Sequence, residues 1–237
     1  MYRALENQLL AALAARLPNV YDGLVPDLKR VPLKKDHVLF GAGESPTRVW
    51  FPVSGAASIL VNVDRHVIEA ALIGCEGAIG LSGIAGPGNS ALSAEVMIEG
   101  QALEIEVQAL RQSLLKNGEA YGLMIDYLTG LIVHLARRSI CNKLHPARHR
   151  LANTLLSICE YTGSNSVVTT HADLARSIWV APSVVSEIMH DFRRAGWLVS
   201  GRGQITILNQ SRLVHLACGC HNSTLYQKHI SPVGAPP

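Results

Sequence analysis

The sequence contains no apolar run long enough to cross a bilayer and no signal-peptide core near its first residues, so we expect a cytoplasmic protein with no membrane partner. Its five cysteines are an odd number without the spacing of a disulfide framework, which favours reduced thiols. The HExxH, GxSxG and Walker motifs are also missing, and Glu104 and Glu106 are interpreted as a solvated strand edge. These absences predict a protein that is not an enzyme and has no resident cofactor.

The composition is that of a folded globular chain. Apolar residues make up 48% and charged residues 16% of the 237 residues, enough for one large or two small domains. Residues 1–136 hold 10 Lys and Arg against 14 Asp and Glu, whereas residues 137–237 hold 11 against 4, net charges of −4 and +7. An acidic front and a basic back suit a sensor joined to a polyanion-binding domain, although a solvated charge bias without a partner has the same signature.

Residues 168–208 show the strongest local pattern. Thr169 or Thr170 can cap a helix whose first turn carries Asp173, and apolar residues then recur at helical spacing. Pro182 stands where a second helix would begin, because the missing N–H of a proline costs nothing in the first turn. The pattern therefore predicts two helices joined by a short turn.

A hairpin is predicted directly after these helices, with strands at residues 197–199 and 204–208. Helix, turn, helix and hairpin together indicate a winged helix-turn-helix, for which an ordinary helical hairpin is the alternative. In a winged helix-turn-helix the second helix enters the major groove of DNA. The outward face of that helix carries four polar side chains: Ser183, Ser186, Glu187 and His190.

The front half of the chain has a different period. An amphipathic helix is predicted over residues 2–16, and short apolar or alternating runs then recur at intervals of about ten residues, separated by turn residues. Such runs predict an antiparallel β-roll or barrel. They cover residues 38–40, 49–53, 57–63, 67–73, 94–98 and 102–107.

A long helix is predicted from residue 120 to about residue 142. Met124, Leu128, Leu131 and Leu135 form a coiled-coil seam along it, so we expect a homodimer, with a helix packed on its own domain as the alternative. The predicted organisation is a roll at 1–119, a dimerisation helix at 120–142, a winged helix-turn-helix domain at 143–221 and a disordered tail at 222–237.

Several short segments have the order and spacing of one known family. They are residues 51–55 (FPVSG), 74–80 (GCEGAIG), 141–145 (CNKLH), 150–152 (RLA), 170–185 and 202–206 (RGQIT). On these segments the chain resembles the Crp/Fnr, or catabolite activator, superfamily of bacterial transcription regulators over nearly its whole length. The resemblance implies an α+β fold with a cyclic-nucleotide-binding-like roll, a long dimerisation helix and a DNA-binding winged helix-turn-helix.

The resemblance also implies where an effector would bind, and here the chain departs from the family. Members that bind a cyclic nucleotide carry a Gly-Glu pair for the ribose and an Arg for the phosphate, and these positions align with Gly80, Leu81 and Leu92. An unpaired phosphate among leucines would cost several kcal/mol. We therefore expect that cyclic AMP does not bind in the usual way, and the effector stays unidentified.

Metal-based sensing is not expected either. Iron–sulfur members of the superfamily use an N-terminal cysteine cluster, and no cysteine here precedes Cys75. Cys218 and Cys220, with help from His215, could hold Zn²⁺ or Cu⁺, but ligands one residue apart are not a usual spacing for structural zinc. A reversible thiol switch at that pair is the alternative. The sequence therefore predicts no metal site.

The base-reading helix is unusual for the family. Two positions that are typically Arg hold Pro182 and Glu187, and Trp179 replaces the glycine of the tight turn. The side chains left for base edges are Ser183, Ser186, Glu187 and His190. Contacts to the DNA backbone are expected from Thr170, His171, Arg176, Arg193, Arg194 and, in the wing, Arg202.

Two functions follow from these observations. The first is a homodimeric regulator that binds double-stranded DNA, with a roll that senses something other than a cyclic nucleotide or acts only as a module for dimerisation and RNA polymerase contact. The second is a degenerate relative that acts through protein–protein contacts and binds DNA weakly and without specificity. The basic back half and the wing favour the first, whereas Pro182 and Glu187 favour the second.

Overall fold

The computed structural model describes residues 7–64, 66–85, 90–201 and 203–221. Its first helix, α1 (Gln8–Arg16), is capped by Asn7, and residues 2–6 of the predicted helix lie outside the described residues. The Asn7 side-chain oxygen accepts from the Leu10 N–H at 3.1 Å, and its amide donates to the carbonyls of Pro52 and Gly77 at 2.9 and 2.8 Å. Asn7 is fully buried, so one side chain both caps the helix and fastens it to the sheet.

The front half is a five-stranded antiparallel sheet that bends into the predicted roll. The strands are β1 (Lys29–Leu33), β2 (Val38–Phe40), β3 (Arg48–Val63), β4 (His66–Ile73) and β5 (Leu92–Glu106). Their order in the sheet is β1-β5-β3-β4, with β2 also paired to β5. Strand β1 was not predicted from the sequence.

Two pairs of short predicted strands are single long strands in the structure. β3 joins residues 49–53 and 57–63, and β5 joins residues 94–98 and 102–107 except for the last residue. Register shifts between the two strands allow them to bend. At the bend Gly55 has φ +73°, and a Cβ there would lie 2.5 Å from the Ile98 carbonyl oxygen. The glycine that suggested a strand boundary therefore marks a bend.

The helices of the front half and the middle of the chain share buried apolar clusters with strands of the roll. The long helix α4 is capped by the Asn117 side chain, which accepts from the Ala120 N–H at 3.0 Å. None of the helices in the described ranges is both long and apolar enough to span a membrane. Besides α1, the helices of the front half and the middle of the chain are α2 (Pro18–Leu24), α3 (Val107–Leu115), α4 (Gly118–Leu144) and α5 (Ala147–Thr162).

The back half contains the predicted helix-turn-helix and its hairpin. A third strand that was not predicted, β6, pairs with β8, so the wing is a three-stranded antiparallel sheet in the order β6-β8-β7. The elements are β6 (Ser166–Val168), α6 (His171–Ile178), α7 (Pro182–Arg194), β7 (Leu198–Gly201), β8 (Gln204–Ile207) and α8 (Gln210–Leu216).

The core of the winged helix-turn-helix extends into the roll. Val185, Met189 and Phe192 of α7 are buried, and the Phe192 ring stacks on Trp197 with centroids 5.1 Å apart. The same buried cluster includes roll residues, among them Leu72 and Met97. The two halves of the chain therefore share one apolar core instead of being joined by a loose linker.

Candidate nucleic-acid interface

The first helix of the candidate interface, α6, begins with a capping box. The Thr170 hydroxyl oxygen accepts from the Asp173 N–H at 3.1 Å, and the Asp173 carboxylate accepts from the Thr170 N–H at 3.1 Å. Thr170 is therefore the cap, and Thr169 is buried beside it. Burial would raise the pKa of Asp173, but hydrogen bonds from Lys35 and Thr170 outweigh it and lower the pKa.

The turn between α6 and α7 depends on Trp179. This residue has φ +55° and ψ +55°, the left-handed conformation that favours glycine. For residues with a side chain this conformation costs roughly 1–2 kcal/mol. The indole N–H of Trp179 donates to the Glu69 carbonyl oxygen on β4 at 2.9 Å. The substitution of tryptophan for the family's glycine thus adds a contact between the turn and the roll.

The second helix, α7, presents the predicted polar face to solvent. Ser183, Ser186, Glu187 and His190 are all exposed, so no other part of the described chain covers them. His171, at the start of α6, bonds through Nδ1 to the Ser186 Oγ at 2.9 Å. Six of the seven predicted DNA-binding residues therefore line one surface. They are Thr170, His171, Ser183, Ser186, Glu187 and His190.

The remaining predicted backbone contacts have different positions. Arg193 and Arg194 are exposed at the end of α7, where Arg193 lies 3.2 Å from the His190 Nδ1. Arg176 instead faces the roll, where its guanidinium lies 3.3 Å from the Glu95 carboxylate on β5. Arg176 thus pairs with the roll in this structure, and its contact with DNA stays a prediction. Arg202 lies outside the described residues, as does the predicted tail at 222–237.

Glu69 joins the roll, the long helix and the helix-turn-helix. Its fully buried carboxylate accepts from the hydroxyls of Ser58 at 2.7 Å and Ser177 at 2.8 Å. Arg138 on α4 donates to the same carboxylate at 2.7 Å and to the Ser177 carbonyl at 2.5 Å. In the sequence, Glu69 stands out only as an acidic residue within the apolar run at 67–73, and its role was not predicted.

A cavity of about 290 Å³ lies between the roll and α4. It includes Leu81 and Leu92, the two positions that in the family's cyclic-nucleotide binders hold the ribose and phosphate ligands. Aliphatic side chains form most of the rest, among them Ile73, Ile79 and Leu131. Among the residues that the structure describes, none of those lining the cavity is acidic or basic, so this lining offers no ion-pair partner for a phosphate.

Two expectations about chemistry change with the structure. Glu104 is buried rather than solvated, because Arg48 pairs with it at 2.6 Å and the Trp50 indole N–H donates to it at 3.1 Å; Glu106 is exposed as expected. Cys218 and Cys220 lie beside side chains of the α4 C-terminus, whereas His215 bonds through Nδ1 to the Ser211 carbonyl and is not part of that cluster.

Comparison with known proteins supports this architecture. Residues 149–216 match the family described as the Crp-like helix-turn-helix domain. The solved structure of FixK2 from Bradyrhizobium japonicum is similar with a TM-score of 0.67 at 20% identity, over 81% of this chain and 98% of that one. A regulator of the crp/fnr family from Eubacterium rectale gives a TM-score of 0.67 at 17% identity, over 86% and 96% of the two chains.

A CooA mutant from Carboxydothermus hydrogenoformans is also similar, with a TM-score of 0.60 at 15% identity over 91% of this chain and 98% of that one. No curated protein sequence gives a significant match. At these identities the structural likeness concerns the fold.

The molecule is thus a winged helix-turn-helix protein with an N-terminal β-roll and a long connecting helix. Within that class it has the fold of the Crp/Fnr superfamily, and its residues 149–216 form a Crp-like helix-turn-helix domain. The resemblance and the fold class predicted from the sequence are confirmed.

Proposed function

We propose that the chain is a homodimeric transcription regulator that binds double-stranded DNA through α6 and α7. The observation that carries this proposal is the free polar face of α7 beside the start of α6, in a chain whose back half has a net charge of +7. A helix with an exposed polar face next to exposed arginines suits a major groove flanked by phosphates.

The side chains of α7 suggest how bases are read. Glu187 can accept a hydrogen bond from cytosine N4, while Ser183 and Ser186 can donate to or accept from several base edges. No arginine stands on the exposed face of the first two turns of α7, so the bidentate arginine–guanine contact typical of the family is missing there. We therefore infer an operator that differs from the family's usual TGA-type half-site.

In vitro selection from random duplexes with the full chain tests this proposal. Enrichment of a two-fold symmetric site is expected, and Glu187→Ala should relax the preference at one position per half-site at a cost of about 1–3 kcal/mol. Arg193→Ala should weaken binding to all DNA sequences alike and reduce the salt dependence of that binding, since it removes a phosphate contact. Tight binding to the standard TGA-type site would contradict the assignment of the base-reading side chains.

The homodimer is proposed from an apolar surface on α4. Tyr121, Ile125 and Ile132 are exposed on one face of the helix, and we call these three residues the α4 stripe. Met124, which the sequence placed in the seam, is instead buried against the roll of its own chain. A second copy of α4 would cover the stripe and place two α7 helices for a symmetric operator.

We also propose that the cavity takes an uncharged, largely apolar effector. Leucines at positions 81 and 92 support this choice, as does the absence of charged side chains from the part of the cavity lining that the structure describes. Isothermal titration with cyclic AMP should show no binding. Micromolar or tighter binding would overturn the proposal, because a phosphate held there would need a cationic partner that the cavity lacks.

The alternative is a relative that acts through protein contacts. The exposed Glu187 favours it, because a carboxylate on the groove-facing helix repels phosphate. In that case selection would enrich no sequence, and the weak residual affinity would fall steeply with salt for every duplex alike. A defined operator excludes this alternative.

A further inference from the structure

The end of α4 and the segment after α8 together form a cluster of four metal-ligating side chains. They are Cys141, His145, Cys218 and Cys220. Cys141 and His145 are four residues apart at the C-terminus of α4, while Cys218 and Cys220 flank a single glycine more than seventy residues later. We propose that these four side chains bind one Zn²⁺ ion.

The distances match a tetrahedral zinc site. Zinc–sulfur bonds of about 2.3 Å and a zinc–nitrogen bond of about 2.0 Å give sulfur–sulfur edges of about 3.8 Å and sulfur–nitrogen edges of about 3.6 Å. In the structure the Sγ atoms of Cys141 and Cys218 are 3.5 Å apart. The Nδ1 of His145 lies 3.4 Å from the Cys141 Sγ and 3.7 Å from the Cys220 Sγ, and all four ligand atoms lie within 4.8 Å of one another.

The donor set selects zinc by its chemistry. Three cysteine sulfurs and one histidine nitrogen are a complete structural zinc shell with no open position for a substrate. Carboxylates are missing from the cluster, which disfavours calcium and magnesium. Cys141 and Cys218 are buried, whereas Cys220 and His145 are partly exposed, so an ion has a route of entry.

Neighbouring side chains suit a bound anionic complex. Three thiolates and one Zn²⁺ carry a net charge of −1, and Arg150 lines the same pocket as Cys141 and Cys220. The Asn153 amide donates to the Cys218 Sγ at 2.8 Å, the kind of outer contact that orients a metal ligand.

The position of the cluster determines which parts of the fold a bound ion would connect. α4 ends at Leu144 and α5 begins at Ala147, so His145 stands at the joint between the long helix and the winged helix-turn-helix domain. Zinc would tie the far end of that domain, after α8, back to α4. It would thereby fix the domain against the long helix independently of the contacts around Glu69.

The test is metal analysis of the full chain, purified with reductant and without chelator. About one zinc per chain is expected, and replacement by Co²⁺ should give the intense visible bands of tetrahedral cobalt thiolate. Cys220→Ser and His145→Ala should each weaken zinc binding at least about tenfold in chelator competition, since even loss of an outer contact costs that much. Cys220 and His145 are only partly buried, so these variants should fold.

Cys75→Ser and Cys159→Ala are the matched controls, since both cysteines lie outside the cluster and should leave zinc content unchanged. Circular dichroism confirms the fold of every variant. Three outcomes overturn the proposal: a folded, reduced chain that binds neither ion; a bound ion that Cys220→Ser and His145→Ala retain; or a Cys141–Cys218 disulfide recovered from the reduced preparation. Loss of zinc in Cys220→Ser and His145→Ala but not in the controls supports it.

Discussion

At the scale of single residues, Glu69 shows how a buried charge can hold two domains together. Its carboxylate is fully buried and is satisfied by Arg138, Ser58 and Ser177. A buried pair of this kind contributes little compared with an apolar replacement of both partners. Removal of one partner is far more costly, because the other charge is left buried without compensation.

We expect Glu69→Ala to lower the free energy of unfolding by about 3–5 kcal/mol, because Arg138 loses its counter-charge. The matched control is Glu95→Ala, whose pair with Arg176 is partly exposed and should be worth under about 1 kcal/mol. Urea denaturation of both variants checks this. Similar losses in the two variants would show that Glu69 has no special role.

Glu76 should make stability depend on pH. It is buried in the turn after β4, where both carboxylate oxygens accept from the Gly74 N–H at 3.0 Å. Burial raises the pKa of Glu76 to about 7 despite the backbone hydrogen bonds that lower it. Because the folded pKa lies above the unfolded value, the folded chain binds more protons between roughly pH 4.5 and 7. Below about pH 4.5 Glu76 contributes its full stabilisation to the folded chain, and this stabilisation is lost as the pH rises to about 7.

Glu76→Gln should therefore gain stability relative to the wild type by about 3 kcal/mol as the pH rises from roughly 4.5 to above 7. The measurement is urea denaturation of both proteins across this range. Subtraction of the two curves removes the opposite contribution of His134, whose pKa is lowered to about 4 by burial and by the Arg138 charge. The exposed Glu119→Gln is the control and should give a flat difference.

At the scale of elements, α4 has two different apolar faces. One face, with Met124 and Tyr127, is buried against the roll. The other is the α4 stripe, in which Ile132 is 66% exposed. Of the four predicted seam residues, Met124 is buried, whereas Leu128, Leu131 and Leu135 are partly buried against the roll, so the heptad-like spacing follows the side of α4 that faces the roll.

Ile132→Glu should dissociate the proposed homodimer. Covering an isoleucine contributes about 1.5–3 kcal/mol, so loss of one per subunit should raise the dimer dissociation constant by more than about tenfold. Sedimentation velocity at several concentrations measures this. The control is Asp126→Lys on the same helix, which is exposed away from the stripe. A wild-type chain that sediments as a monomer would refute the dimer outright.

At the scale of the whole molecule, the shared core predicts one cooperative unfolding transition. Leu72 and Met97 of the roll belong to the same buried cluster as Leu174 and Phe192 of the helix-turn-helix. Two domains that share a core and the Glu69 hydrogen bonds should not unfold separately.

Scanning calorimetry should therefore show a single peak. Fluorescence from Trp50 in the roll and from Trp197 in the wing, each in a chain with the other tryptophans replaced by phenylalanine, should report the same midpoint. Met97→Ala should lower both midpoints together, since a buried methionine truncated to alanine costs about 2–5 kcal/mol. Two separate transitions would show that the roll and the helix-turn-helix are independent units.

The sequence by itself determined the two helices of the helix-turn-helix and their ends. Apolar positions at helical spacing predicted α6 and α7, and Thr170, Pro182 and Gly196 marked their ends, because helix periodicity and capping are properties of neighbouring residues. The same local chemistry placed six of the proposed DNA-binding side chains on one surface.

Only the tertiary structure decided which distant residues meet. Glu69 and Ser177 are 108 residues apart in the chain, and Cys141 and Cys218 are 77 apart. No periodic pattern records such pairs, since they depend on how whole elements pack. The bend at Gly55, the burial of Met124 and the Arg176 contact with the roll were unforeseen for the same reason: each depends on the shape of a partner surface that exists only in the folded chain.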